Sequence, residues 1–511
     1  MVRYKSNNQI SIEDFSTPFQ QKLRSDNRWV KLSKIIPWDR LAAIYSKTMT
    51  EDFGRPGIDP RRVIGAMVIK HKLNLSDEET VLQIQENAYL QYFLGYSTYE
   101  EEPVFAPSLF VEIRKRIGAE KFDEMNRAII ETALARKKPA KRREKSSSKG
   151  SGPKGGEPQK DTEESANSGK LIMDATVAEQ AIKYPNDLEL LNDSRIVSEK
   201  LIDKLYELSV LESKPRTYRR RARKEFLSEA KKKRKSKKVL RRAIGKQLGY
   251  LIRNLKHIEN MLDMIGGRHF PLSPKYQRKY WIIQEICRQQ KQMYDVNKHS
   301  CSDRIVSISQ PHIRPIVRGK SGKKTEFGAK LGVSLVEGFA RIDTISWDAY
   351  NESSDLIAQV ENYYDQYGFY PEVVIADNIY GTQKNRSYLK SKDIRFGGKA
   401  LGRPRKQTEE NKKELRKEKE RRKREYRERI PIEGKFGQGK NGYRLNYIRA
   451  KRQATSESWI GCIFLVMNIV KLSAEKINSF FYLSSKMQKT LLRRFSKSIE
   501  VLIPQFHPNF T

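Results

Sequence analysis

The stretch Lys170–Gln180 reads KLIMDATVAEQ, and a second stretch, Glu372–Gly381, reads EVVIADNIYG. Each holds a short apolar run with strand character that ends in an aspartate, Asp174 in the first and Asp377 in the second. A lone carboxylate at the end of a buried strand is costly. A surface aspartate capping the following turn is one reading of each. Two of them at matching strand ends, in a strongly basic chain, point to another. Parallel neighbouring strands lie about 4.8 Å apart, and carboxylates so placed repel unless a cation sits between them. Oxygen-only ligands suit Mg²⁺ or Mn²⁺. Two such ions about 3.5–4 Å apart can activate an attacking oxygen and stabilise a leaving one in phosphoryl transfer. That chemistry asks for a third carboxylate from a later element.

Ile430–Asn441, IPIEGKFGQGKN, supplies a candidate. Gly434, Gly439 and Lys440 resemble a phosphate-binding loop. Asn441 stands where that loop needs Ser or Thr, and the charged, Pro431-containing stretch before it is no buried strand. The nucleotide-loop reading therefore fails. Counting back gives a different pattern: Tyr426, Arg429, Glu433 and Lys440, spaced Y-x2-R-x3-E-x6-K. At about 100° per residue these offsets fall within roughly a 60° arc of an ideal helix. One face would carry an acidic metal ligand flanked by phosphate-binding cations. Pro431 predicts a helix start or kink, and the glycines that follow weaken the helix or allow close approach to DNA.

The whole chain supports a polyanionic partner. Among 511 residues, 101 Lys and Arg outweigh 62 Asp and Glu, a formal charge of +39. Self-repulsion of that size is best neutralised by nucleic acid. No apolar run reaches the roughly 20 residues that span a bilayer, so no membrane partner is expected. The first residues, MVRYKSNNQISIEDF, have no apolar core, so no export signal is expected. Cys287, Cys301 and Cys462 are scattered and the six histidines show no H-x-x-x-H. Disulfides and structural zinc are disfavoured, and a reduced compartment fits.

Residues 1–136 read as helices, with Ser76 and Glu79 placed as a capping box. This region suits DNA binding, dimerisation or both. Residues 137–169 are rich in Ser, Gly, Pro and charge and read as a flexible basic linker. Residues 170–475 form the α/β domain, interrupted at about 193–298 by a basic helical insertion, and 476–511 form a tail. The insertion includes RTYRRRARKEFLSEAKKKRKSKKVLRRAIGKQL, where Tyr218, Phe226 and, just beyond, Tyr250 stand among the cations. Such density favours phosphate contact over a merely solvated face. EFGAKLGVSLV and FARIDTISW flank Glu337–Gly338 as a hairpin, and SDLIAQVENYYDQYG is an amphipathic helix. WIGCIFLVMNIV, 459–470, fits a buried helix.

These motifs resemble those of insertion-sequence transposases with the YREK signature. The resemblance runs from about Asp52 to Leu472 and rests on the complete Y-x2-R-x3-E-x6-K spacing and both aspartate regions. It implies an RNase H-like mixed sheet flanked by helices, beside a separate all-α N-terminal domain. It implies that Asp174, Asp377 and Glu433 bind two Mg²⁺ or Mn²⁺ ions. It implies that the Asp174 and Asp377 strands are neighbours, and that Tyr426, Arg429 and Lys440 hold DNA phosphates. The implied enzyme is a homodimer acting on double-stranded DNA in the bacterial cytoplasm, at the nucleoid. It would cleave at the terminal inverted repeats of its element and join the 3′-OH ends to target DNA. A catalytically silent DNA-binding protein and a metal-dependent nuclease of the same fold are the alternatives. Relatives often carry their insertion after the second aspartate; here it lies between the first and second strands.

Overall fold

The computed structural model describes residues 13, 15, 22–49, 57–137, 167–267, 269–317, 325–399, 401, 402, 406–408 and 410–475. Nearly all of the expected linker and the whole of the expected tail fall outside these residues.

Among the described residues six helices come first: α1 (Arg28–Ser33), α2 (Trp38–Ser46), α3 (Pro60–Leu73), α4 (Asp77–Glu86), α5 (Ala88–Phe93) and α6 (Leu109–Lys137). Local chemistry sets their ends. Asp59 accepts the Arg61 N–H ahead of Pro60, and Asn74 at φ 57° stops α3. Ser76 accepts the Glu79 N–H to start α4, as its place in the capping box predicts. Gly118, at φ 67°, breaks α6 into two helical segments.

The sheet follows. Strand β1 (Lys170–Glu179) is central. It pairs antiparallel with β3 (Thr325–Val336) and parallel with β5 (Val373–Ile375). Strand β4 (Phe339–Ser346) lies antiparallel on β3, β2 (Pro315–Val317) joins the start of β3, and β6 (Arg395–Phe396) extends β5 in parallel. The spatial order is β4-β3-β1-β5-β6. The β3–β4 hairpin turns through Glu337 at φ 52° and Gly338 at φ 80°. Two positive φ values match the turn whose twist suits flanking strands.

Helices cover both faces. On one, α11 (Leu356–Tyr367) and α12 (Gln383–Ser391) pack Leu356, Val360, Tyr363 and Leu389 against Leu171, Met173 and Val374. On the other lie α13 (Lys412–Gly442), α14 (Gln453–Glu475) and the N-terminal helices. Here one continuous core runs from Trp29 and Phe93 through Phe122 and Ile129 to Leu331, Val333, Ile432 and Phe464. The expectation of a separate N-terminal domain is therefore not met in packing. Residues Phe122 to Ala133 of α6 present an apolar stripe that the sheet and α14 cover.

Polar contacts reinforce that junction. Asn468 accepts the Ala340 N–H at 3.0 Å and donates to the Ala340 carbonyl at 2.7 Å. Asn126 on α6 donates to the same carbonyl at 3.1 Å. At Ala340 the outward edge of β4 is thereby satisfied by side chains. Arg341 on β4 donates twice to Asp123 on α6, both at 3.2 Å. By length and composition α14 could cross a membrane. Its Ile460, Ile463, Phe464, Val466 and Met467 are nevertheless buried in the core.

The insertion comprises α7 (Asp187–Tyr206), α8 (Arg219–Ala230), α9 (Lys237–Ile265) and α10 (Pro274–Val296). It opens at Asp187, earlier than 193, because Asn186 caps α7 by accepting the Leu188 N–H. Leu201, Ile202, Leu251, Ile258 and Ile283 give it a core of its own.

Helix α13 narrows a second expectation, removing a helix start at Pro431. It passes through Pro431 without ending. A proline inside a helix costs about 3 kcal/mol. Ile432 and Phe436, buried against the core, and ion pairs on both sides of Pro431 hold the helix in place. Gly434, Gly437 and Gly442 face open space, whereas Gly439 packs against Leu445, whose Cδ2 would lie 3.2 Å from an added Cβ.

Candidate active site

The ladder between β1 and β5 pairs Lys170 with Val373, Leu171 with Val374 and Ile172 with Ile375. Continuing that register sets Asp174 level with Asp377. Asp174 is not at a strand end, as the sequence suggested. β1 runs on to Glu179 because β3 pairs with it as far as Gly328. Asp377 does lie just past the end of β5, where its carboxylate accepts the Asn378 N–H at 2.6 Å. It caps a 3-10 turn at Asn378–Tyr380, so the turn-capping role is realised as well.

α13 crosses the sheet and is pinned by ion pairs to β6, β1 and β3 in turn. Arg395 on β6 pairs with Glu425. Lys170 on β1 donates to both oxygens of Glu428 at 2.9 Å. Arg429 reaches Asp174 Oδ2 at 3.2 Å and Glu433 Oε1 at 2.6 Å. Lys440 Nζ lies 3.6 Å from Glu326 Oε1 on β3.

The arrangement brings Asp174, Asp377, Arg429 and Glu433 into one electrostatic neighbourhood. Burial pushes the Asp174 carboxyl above its ordinary range, and the charges of Glu352 and Asp377 push the same way. The Ala175 N–H, at 2.8 Å, and Arg429 oppose the shift. Burial lowers the Arg429 guanidinium, but the charges of Asp174, Glu433 and Asp377 outweigh it and leave the group raised. Glu433 is half exposed and Asp377 exposed, so both open to solvent.

Tyr426 and Arg429 stay together, and Lys440 stands apart from them. Tyr426 is 66% exposed, one turn before Arg429, with the guanidinium 5.6 Å from its ring centre. Arg429 is turned inward, 16% exposed, on the carboxylates. Lys440 stands about 10 Å further along the helix axis than Glu433, beside Glu326 and outside the carboxylate group.

Sequence reasoning missed Glu352 and Lys330. Glu352 opens a 3-10 turn at Glu352–Asp355, and its carboxylate meets Lys330 Nζ at 3.0 Å. The signal was present: Lys330 is a lone charge inside the apolar run of β3, and a charge there needs a partner.

The donor set suits a hard divalent cation: three carboxylates from three elements and no sulfur or imidazole. Asp174, raised by burial and like charges, is stabilised by any cation placed beside it. Among the described residues no three acidic, histidine or cysteine side chains converge as a metal cage. A guanidinium lies between two of the carboxylates instead.

Comparison with known proteins matches two parts of the chain to transposase domains. Residues 17–116 match a transposase domain model, DUF772, and residues 374–470 match a transposase DDE domain model. The second match includes Asp377, Glu433 and the whole of α13, and begins after Asp174. The chain is 35% identical over 105 residues to the uncharacterized protein ORF8 in the nfe locus of Rhizobium meliloti. That alignment covers 20% of this chain and 50% of the relative, so the chain spans about half the length of the curated relative it matches. No solved structure matches the chain. Both matched models are of transposase domains, one of the DDE type, and together they cover less than half of the chain.

Proposed function

We propose that this chain cuts DNA at the ends of an insertion element and joins those ends to target DNA, with Asp174, Asp377 and Glu433 as its catalytic carboxylates. One observation carries the reading. The β1–β5 register sets Asp174 level with Asp377, while α13 brings Glu433 onto the same guanidinium. The strand order, with β3 and β4 antiparallel and β5 and β6 parallel to the centre, fits an RNase H-like sheet.

Asp174, Asp377 and Glu433 would hold divalent ions, Mg²⁺ or Mn²⁺, two per site. Bound there, these ions would supply charge to the attacking and leaving oxygens of an in-line displacement. The chain's own groups position the DNA. Tyr426 and Arg429 stand where a phosphate beside the carboxylates can be held, and Lys440 extends that line toward β3. In the first step water attacks a phosphodiester at the element end, breaking one P–O3′ bond. A 3′-OH and a 5′-phosphate result. In the second step that 3′-OH attacks a target phosphodiester, forming a new P–O3′ bond and releasing the target's own 3′-OH. Catalytic power would come from positioning and charge stabilisation. An element has two ends, so a homodimer is the acting unit.

The insertion supplies further phosphate contacts. Arg220, Arg223, Lys224 and Lys231 line one face of α8 and its end, all exposed. Among the described residues none of the four pairs with a carboxylate.

The test uses DNA carrying the element's ends, Mg²⁺ and a target plasmid, with wild type beside Asp377→Asn. Joined products from wild type alone support the reading. Equal products from both proteins refute the carboxylate assignment. Cutting without joining indicates a nuclease, and binding without cutting a silent DNA-binding protein.

A further inference from the structure

Arg429 contacts the carboxylates that the proposed function gives to metal. Asp174 Oδ1 is already occupied by the Ala175 N–H at 2.8 Å. Its other oxygen, Oδ2, is the one Arg429 holds at 3.2 Å. The second prong of the same guanidinium holds Glu433 Oε1 at 2.6 Å. Among the described residues no other cation pairs with either carboxylate. A divalent ion approaches a carboxylate oxygen to about 2.0–2.2 Å, with twice the charge. A divalent ion on Asp174 Oδ2 would stand within about 5 Å of the guanidinium nitrogen on the same oxygen, and the two positive charges repel. The guanidinium has somewhere to go. Tyr426 lies one turn back on the same helix, 66% exposed, with its ring 5.6 Å from the guanidinium carbon.

We infer that Arg429 is an exchangeable counter-ion: it holds Asp174 and Glu433 together until a divalent metal displaces it, and then binds a DNA phosphate beside Tyr426. The inference rests on the metal reading of the proposed function. It adds a consequence that reading lacks. Metal releases the arginine that DNA needs, and DNA holds away the arginine that competes with metal. Each ligand must then strengthen the other by the same factor.

The test measures binding, not turnover, on the full chain. Free Mn²⁺ is followed by electron paramagnetic resonance, with and without a short duplex. Duplex affinity is followed by fluorescence anisotropy, with and without saturating Mn²⁺. In wild type each ligand should strengthen the other by about tenfold. Arg429→Gln should bind Mn²⁺ several-fold more tightly on its own, and its coupling should fall to about twofold or less. Arg429→Lys, which keeps the charge but cannot bridge both carboxylates, should also lose most of the coupling. Thermal melts check that both variants fold. Wild-type coupling in Arg429→Gln would overturn the exchange, since neutralised carboxylates would then account for the linkage alone. Mn²⁺ affinity unchanged in Arg429→Gln would overturn it too. Equal Mn²⁺ binding by wild type, Asp174→Asn and Glu433→Gln would instead overturn the metal reading, and this inference with it.

Discussion

Asp343 offers a test of how the helical region is fastened to the sheet. Its side chain is 1% exposed, on β4, beside the Arg341–Asp123 bridge that joins β4 to α6. Burial pushes its carboxyl up to about 6 from 3.8, against the opposing pull of Arg341 and of hydrogen bonds from Ser334 and Gln359. The folded state therefore holds this proton more tightly than the unfolded state. The contribution is fully present below the unfolded value and is lost as pH rises through the folded one. Working the linkage between pH 4.5 and 7.5 gives a loss of about 2 kcal/mol from this one group. Asp343→Asn removes the titration at the cost of one misdirected amide hydrogen bond, an offset that does not change with pH. Urea denaturation of both proteins at the two pH values isolates the difference. The wild type should lose about 2 kcal/mol more than the variant over that interval. Parallel pH dependences would refute the reasoning, because they would mean that Asp343 titrates alike in both states.

Three further outcomes follow from the packing and charge. Replacing Arg220, Arg223, Lys224 and Lys231 by Gln should reduce the slope of log K against log salt by up to about 3.6, at roughly 0.9 per phosphate contact; anisotropy at several salt concentrations reads it, and an unchanged slope removes α8 from the DNA surface. Ile432→Ala, at a fully buried position one residue before Glu433, should cost about 2–5 kcal/mol by calorimetric melting; a loss below 1 kcal/mol would mean that α13 is not anchored there. Asn468→Ala leaves the Ala340 N–H without its partner and should destabilise by about 1–3 kcal/mol, which denaturant titration would measure; a neutral result would mean that β4 finds another partner.

Much of the sheet was legible because its signals are local. The apolar runs around Met173 and Val374, the Glu337–Gly338 turn and the stripe Leu356, Val360 and Tyr363 each declare an element within a few residues. The level placement of Asp174 and Asp377 follows from strands of like direction. What was hidden depends on distant partners. Pro431 reads as a helix start or kink, and contacts with β1, β3 and β6 carry the helix through it. Asp174 reads as a strand end, yet β3 extends the strand beyond it. The shared core was invisible because nothing in α6 says which apolar surface its stripe will meet. Arg429 reads as a phosphate ligand by spacing, and only the fold shows it turned onto two carboxylates.

The insertion leaves β1 and returns to β3 at one corner of the sheet. Glu179 faces Gly328, although 149 positions separate them along the chain. The central antiparallel pair is in effect a hairpin whose turn is a four-helix body. Closing so large a loop in an unstructured chain costs about 3 kcal/mol more than closing a four-residue turn. A body with its own core can meet that cost in advance, since folding α7–α10 first brings the two strand ends together. The order of events in folding would then invert the order of importance in catalysis: the appendage assembles early, and the strand that carries Asp174 finds its partner late.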